Sequence, residues 1–280
     1  MNIKKLIIPL TLAALLASCG TSTETSTSSE NTNSADTTAS QTDTSSEEVT
    51  EIKSIKLMTF GDSITDGYWL KGGYRTTLAN ELESNGYSEY VDFVGRKSGG
   101  DCYDNKHEGY SGYSIDPIAD EDSISGQRNG LSTIAEKELT KFTPDVVLLQ
   151  VGTNDILSLY DLDNAGERLK GLVETTLDNL PEDGMLFLAT IPYMDANDTT
   201  YIDPEYFTVD YMDECVDSYN EKVKAVVEEE QAAGKNIELA DINSVLTKDD
   251  LYDGVHPNEE GYQKMGEYWY GIVSDYITGA

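Results

Sequence analysis

The sequence predicts an α/β protein: a three-layer α/β/α sandwich around a doubly wound, five-stranded parallel sheet. Three observations predict it. An apolar run at residues 55–60 ends at Gly61 and gives way, after Leu70, to apolar residues at helical spacing (Leu78, Ala79, Leu82). A second run, Val146-Val147-Leu148-Leu149, is apolar without alternation, as in a central parallel strand covered on both faces. From Lys53 onward strand-like and helix-like segments alternate, the pattern of parallel strands joined by right-handed crossovers.

Taken in order, residues 55–60 are the first strand, and 73–85 the first helix, closed by Gly86. Residues 90–94 are the second strand, and a long irregular stretch, 95–126, follows it. Residues 131–141 read as helix, 145–151 as the central strand, 164–179 as helix and 185–189 as strand. Residues 205–231 read as one long helix, with Asp203-Pro204 as an alternative start, and 237–240 as the last strand. The closing helix covers 257–277, with Pro257 in the first turn, where its missing N–H costs nothing.

Residues 1–18 read as a signal peptide: Lys4 and Lys5, an apolar run to Ala17, then Ser18. The run is too short to span a membrane, which takes roughly 20 residues. Its end, Leu16-Ala17-Ser18-Cys19, resembles the lipobox of bacterial lipoproteins. That resemblance implies a lipidated Cys19 and a membrane-anchored, exported protein at the bacterial cell surface, with two or more acyl chains giving stable anchoring. A plain secretory signal with an incidental cysteine is the other reading. Residues 19–52 are rich in Ser, Thr, Asn, Asp and Glu, with no Lys or Arg before Lys53, and read as a disordered tether. A flexible chain of this length spans about 30 Å. Residues 53–280 suit one domain of ordinary size.

The formal charge of −33 argues against nucleic acid as a partner and against electrostatic docking on anionic lipid. Cys19, Cys102 and Cys215 make neither a disulfide framework nor a zinc pattern. A pairing of Cys102 with Cys215 is left open by the sequence.

Four loops carry the residue types of acyl-transfer chemistry: Gly61-Asp62-Ser63 after the first strand, Gly109-Tyr110-Ser111-Gly112 in the irregular stretch, Gly152-Thr153-Asn154-Asp155 after the central strand, and Asp253-Gly254-Val255-His256 before the last helix. Strand ends of a doubly wound sheet converge on one crevice. Taken alone, Ser63 also reads as a helix cap. A serine nucleophile needs a base, and the chain has only 2 histidines.

At these positions the sequence resembles the SGNH hydrolases, the GDSL esterase family, whose four blocks supply a Ser, a Gly, an Asn and a His in this order. Here they fall at Ser63, Gly112, Asn154 and His256, with Asp253 three residues before the histidine, over about residues 54–275. Gly72-Gly73-Tyr74-Arg75, Val91-Asp92-Phe93-Val94-Gly95 and His107-Glu108-Gly109-Tyr110-Ser111-Gly112 are similar to carbohydrate esterase family 3, the acetylxylan esterases. The resemblance implies a flavodoxin-like sandwich and a serine esterase that works without cofactor or metal. Ser63 would be the nucleophile, His256 its base, and Asp253 the residue that holds the imidazole in the correct tautomer. The N–H groups of Ser63 and Gly112 and the amide of Asn154 would form the oxyanion hole.

Competing assignments are few. His107 is the alternative base, and otherwise a loop residue shaping the acceptor side. Asp62 reads as an internal hydrogen-bonding residue, and Asp66 and Asp155 as loop or cap residues. The Gly-x-Ser-x-Gly elbow and the Gly-x-Gly-x-x-Gly dinucleotide motif are both broken, by Thr65 and Ser63 respectively. Asp161-x-Asp163-Asn164 and Asp195-x-x-Asp198 have calcium-ligand chemistry, but Asp163 and Asn164 read better as caps of the following helix. Of the 18 tyrosines, Tyr68, Tyr110 and Tyr113 join Trp69 as candidates to stack on sugar rings, whereas Tyr262, Trp269 and Tyr270 read as core or interface.

The expected function is removal of acetyl groups from an acetylated polysaccharide, acetylxylan first, through an acyl-serine intermediate. The alternatives are a lipid-directed esterase (lysophospholipase or thioesterase), which would favour long acyl chains, and a non-catalytic glycan-binding lipoprotein.

Overall fold

A computed structural model describes residues 51–280. The expected signal peptide, Cys19 and all but the end of the tether lie outside the described residues. In chain order the elements are β1 (Ile55–Gly61), α1 (Ser63–Asp66), α2 (Gly73–Ser84), β2 (Val91–Phe93), β3 (Lys97–Ser98), β4 (Lys106–Gly109), α3 (Ala135–Phe142), β5 (Val146–Gln150), α4 (Thr153–Leu157), α5 (Ala165–Asp178), β6 (Met185–Ala189), α6 (Val209–Ala232), β7 (Ile237–Ala240) and α7 (Glu259–Thr278).

The five expected strands are all present and run parallel, β2 and β5 flanking β1, then β6 and β7. Along β1, Met58 and Phe60 pack on one face with Val147 and Leu149 of β5, against α3, α5 and α6. Ile55 and Leu57 pack on the other with Val146 and Leu148, against Leu78 and Leu82 of α2 and Trp269 and Val273 of α7. This two-residue alternation divides one continuous apolar run between two cores. Each such fully buried side chain contributes about 1.5–3 kcal/mol.

The stretch 95–126 is less irregular than the sequence suggests. β3 and β4 form an antiparallel pair, and β4 runs parallel to β1. β2 covers the beginning of β1 (Ile55 to Leu57) and β4 its end (Phe60 and Gly61), so two short strands share one edge.

Three helix boundaries also differ. Residues 131–141 divide into a 3-10 turn, Leu131–Thr133, and α3. α6 starts at Val209, because the Thr208 side chain accepts the Tyr211 N–H at 3.2 Å. Asp203 instead folds the preceding residues into a turn, accepting the Glu205 N–H at 2.9 Å. α7 starts at Glu259, where Asn258 accepts the Gly261 N–H. Pro257 lies before it, bridged to Leu251. At α5 the expected side-chain cap is absent: Asn164 occupies the N-cap position, but its amide donates to Asp161. Cys102 and Cys215 are both free thiols.

Candidate active site

Sheet register assembles the site. Gly61 of β1 is level with Gly109 of β4 on one side and Gln150 of β5 on the other. The three chains therefore leave the sheet side by side, and Ser63, Gly112 and Asn154 follow within a few residues of that common edge. The Tyr110 N–H donates to Gly61 O at 2.8 Å, continuing the β4 pairing into the glycine loop.

Ser63 is the first residue of α1. The cap of that helix is Asp62, which accepts the Ile64 N–H at 2.9 Å and leaves the Ser63 hydroxyl free for another partner. Arg75 of α2 braces the turn from below, donating to the carbonyls of Thr65 at 2.8 Å and Asp66 at 3.2 Å.

His256 arrives on the loop between β7 and α7, closed by the bond from Tyr252 N–H to His256 O at 2.8 Å. Its Nε2 lies 2.9 Å from Ser63 Oγ, and its Nδ1 lies 2.9 Å from Asp253 Oδ2. With Nδ1–H donating to the carboxylate, Nε2 is left as the acceptor for the serine hydroxyl. Burial pushes the Asp253 carboxyl up, but the bonds from the His256 ring, the His256 N–H and the Val255 N–H outweigh it and hold it below the usual carboxylate range. The carboxylate is thus a fixed anion behind the imidazole.

The N–H groups of Ser63 and Gly112 make no hydrogen bond to another described residue. Gly112 holds φ +83, a conformation that favours glycine, and its Cβ direction opens into the pocket. Asn154 is positioned by its amide, which donates one hydrogen to Tyr113 O at 2.8 Å. Its neighbour Asp155 fixes α4 from behind, ion-paired with Arg168 of α5 and accepting the Ile115 N–H. Gly152 enters that helix at φ +129, with the Tyr219 ring where a Cβ would be.

These groups line a cavity of about 140 Å³ with Tyr68, Ser111, Arg128, Leu157, Tyr201 and Val255. Tyr68 covers the imidazole, ring centroids 4.5 Å apart, and its hydroxyl meets that of Tyr201 at 2.6 Å. Trp69 stands beside the cavity, its indole N–H on Pro257 O at 2.9 Å and its ring stacked on Tyr252 at 4.2 Å. Tyr110 and Tyr113 lie outside the cavity: their rings pack on each other and on the core, and the Tyr110 hydroxyl donates to Glu108.

Sequence reasoning missed Arg128, Tyr201 and Tyr252. Arg128 carried a signal, as the one Lys or Arg between Lys106 and Lys137. Tyr201 lies in a segment without periodicity and gave none.

His107 is a buried strand residue of β4, which corrects its reading as a loop residue. Its Nδ1 accepts the Gly109 N–H at 3.1 Å, and burial, helped by the Arg75 charge, pushes the imidazole down to about 3. It is neutral at working pH and makes no hydrogen bond to Ser63. Asp62 is fully buried, which pushes its carboxyl up to about 6. Asp66 ties α1 to β3 and to the glycine loop after β4, pairing with Lys97 at 2.8 Å and accepting from Ser111 Oγ at 2.7 Å.

A serine, imidazole and carboxylate in line, with unpaired N–H groups and an amide beside the hydroxyl, have the geometry of nucleophilic acyl transfer on a parallel α/β sandwich. Residues 57–269 match the GDSL-like lipase/acylhydrolase family. A multidomain esterase of Ruminococcus flavefaciens is 38% identical over 240 residues, which are 81% of this chain and 29% of that protein. A family 3 carbohydrate esterase of Clostridium thermocellum is 27% identical with a TM-score of 0.61, covering 81% of this chain and 100% of that one. A family 3 carbohydrate esterase of Talaromyces cellulolyticus, 21% identical, shares the fold with a TM-score of 0.60 over 81% of this chain and 99% of its own. The chain belongs to the GDSL-like lipase/acylhydrolase family. It spans 29% of the length of the multidomain esterase it matches.

Proposed function

We propose that the chain is a carboxylic ester hydrolase that removes acetyl groups from an acetylated polysaccharide, acetylxylan being the first substrate to test. The observation that carries this reading is the cavity at Ser63 Oγ, small at about 140 Å³ and rimmed by exposed aromatic residues. A space of that size suits a two-carbon acyl group. Among the described residues six large hydrophobic side chains are exposed, all aromatic, and Tyr68, Trp69, Tyr201 and Tyr252 gather around His256. Flat rings with polar edges suit a sugar on the leaving-group side.

In the proposed mechanism His256 Nε2 takes the Ser63 proton as Oγ attacks the ester carbonyl. The oxyanion forms against the N–H groups of Ser63 and Gly112 and the Asn154 amide. His256 then protonates the departing sugar oxygen, and water releases acetate from the acyl-serine by the same steps reversed. Asp253 stabilises the imidazolium in both halves.

The test is acetate release from acetylated xylan by residues 53–280, with Ser63→Ala alongside. Release by the parent and none by the variant supports the reading. Release by both removes Ser63 from its role, and faster hydrolysis of long-chain esters than of acetyl esters removes the substrate. We further propose that Cys19 carries the lipid that holds the protein at the bacterial surface. Detergent-phase partitioning of the full chain, lost in Cys19→Ala, is the expected result.

A further inference from the structure

Arg128 is a cation in the wall of the Ser63 cavity with part of its guanidinium unpaired. Acidic residues outnumber basic ones 52 to 19 in this chain, yet Arg128 reaches no carboxylate. Its Nε donates to Ser158 Oγ at 3.2 Å and its Nη2 to Ser125 Oγ at 2.9 Å, both neutral hydroxyls. Nη1 makes no hydrogen bond to a described residue. The other arginines are matched: Arg96 pairs with Glu138, Arg168 with Asp155, and Arg75 turns its whole fork onto the carbonyls of Thr65, Asp66 and Gly99.

The unpaired nitrogen faces the motif glycine. A Cβ built on Gly112 would lie 3.8 Å from Arg128 Nη1, with nothing else within 4 Å. The space between them is therefore open, and it adjoins the unpaired Gly112 N–H. Arg128 is half-buried. Burial lowers its pKa from the usual arginine value, opposed by the more distant Asp155 and Asp62, and it remains a cation at working pH. A partly desolvated charge whose direct partners are two hydroxyls gains when an anion binds its free nitrogen.

We propose that Arg128 makes the Ser63 cavity a site for a short monocarboxylate, with Nη1 donating to the carboxylate of the acid released by hydrolysis. Water attack on the acyl-serine breaks the bond to Ser63 Oγ, returns a proton to that oxygen, and leaves a carboxylic acid that ionises at neutral pH. The anion then lies between Arg128 Nη1 and the unpaired N–H groups of Ser63 and Gly112. The same charge favours the oxyanion of the preceding tetrahedral step. The role in hydrolysis rests on the esterase reading, whereas carboxylate binding does not.

The experiment is calorimetric titration of the full domain with sodium acetate and with acetamide, a neutral shape-mimic, at fixed ionic strength. Arg128→Met and Arg128→Lys are titrated in parallel and their melting temperatures recorded. Expected are saturable acetate binding by the parent, acetamide at least tenfold weaker, loss of at least tenfold in acetate affinity in Arg128→Met, and partial retention in Arg128→Lys. Equal binding of acetate and acetamide by the parent overturns the proposal, and that comparison needs no variant. So does unchanged acetate affinity in Arg128→Met, whatever its melting temperature; a lower melting temperature with it marks a purely structural arginine. Acetate binding without ester hydrolysis would sink the esterase reading and leave the carboxylate site standing.

Discussion

Asp253 Oδ1 accepts the backbone N–H of His256 at 2.8 Å while lying 3.1 Å from Nδ1 of the same residue's ring. One carboxylate therefore shapes the loop and orients the imidazole on it. Asp253→Asn separates the two tasks. An asparagine Oδ1 still accepts the His256 and Val255 N–H groups, but its amide N–H facing Nδ1 moves the ring proton to Nε2, where it can no longer take the Ser63 proton. We expect kcat to fall by up to ~10⁴, with the melting temperature nearly unchanged. Asp253→Ala leaves two buried N–H groups without partners, at about 1–3 kcal/mol each, and should lower both. Equal melting losses in the two variants would show that the charge, not the accepting oxygen, holds the loop.

Asn154→Ala should reduce kcat by ~10²–10³ through loss of one oxyanion donor. The same change removes the bond to Tyr113 O, at about 1 kcal/mol of stability. Gly112→Ala acts differently, because it must hold φ +83 with a side chain, at about 1–2 kcal/mol. Its methyl enters the cavity toward Arg128, so KM should rise along with the fall in kcat. Steady-state kinetics on a small acetate ester separate the two patterns.

Two histidines, one of them three residues after an aspartate, made Ser63, His256 and Asp253 legible in the sequence, and the continuous run at β5 made the sheet legible. β4 was hidden because Lys106-His107-Glu108-Gly109 has none of the residues that mark a strand. It is a strand because β1 and β3 pair with it, and His107 and Glu108 are buried by that tertiary context. The start of α6 was misplaced for a local reason: Pro204 and Thr208 are both acceptable helix starts, and the Asp203 turn chose the second. Arg128 and Tyr201 reach the cavity from segments without regular structure, so no periodicity pointed to them.

His107 makes the stability of the domain depend on pH. The folded chain keeps it neutral down to about 3, whereas an unfolded histidine takes up a proton below about 6.5. Between those values the unfolded state binds the extra proton, so stability is complete above pH 6.5 and is lost as pH falls. Asp62 works against this. Its carboxyl, raised to about 6, binds a proton in the folded state first and favours folding as pH falls from 6 toward 3.8. From pH 6.5 to 5 the His107 contribution amounts to about 2 kcal/mol. Denaturant titrations at pH 7 and 5 should show that His107→Asn loses less stability on acidification than the parent. An equal loss in both would assign the acid sensitivity elsewhere.

Trp69 sits at φ +55, a costly backbone for a bulky residue, of order 1–3 kcal/mol. Its indole bond to the carbonyl of Pro257, the residue after His256, and its stack on Tyr252 hold it there, 40% exposed. If the exposed pair receives a sugar ring, Trp69→Ala should raise KM for acetylated polymer about tenfold, equivalent to ~1.4 kcal/mol, and leave kcat on a small acetate ester within a few fold. Tyr252→Ala should do the same, since either change removes half of the stack. If instead the indole only steadies the His256 loop, kcat on the small ester falls in parallel with the polymer rate. Trp69→Phe then decides between them, because phenylalanine keeps the aromatic face and lacks the donor to Pro257: polymer binding survives it under the first account, and turnover on both substrates fails under the second.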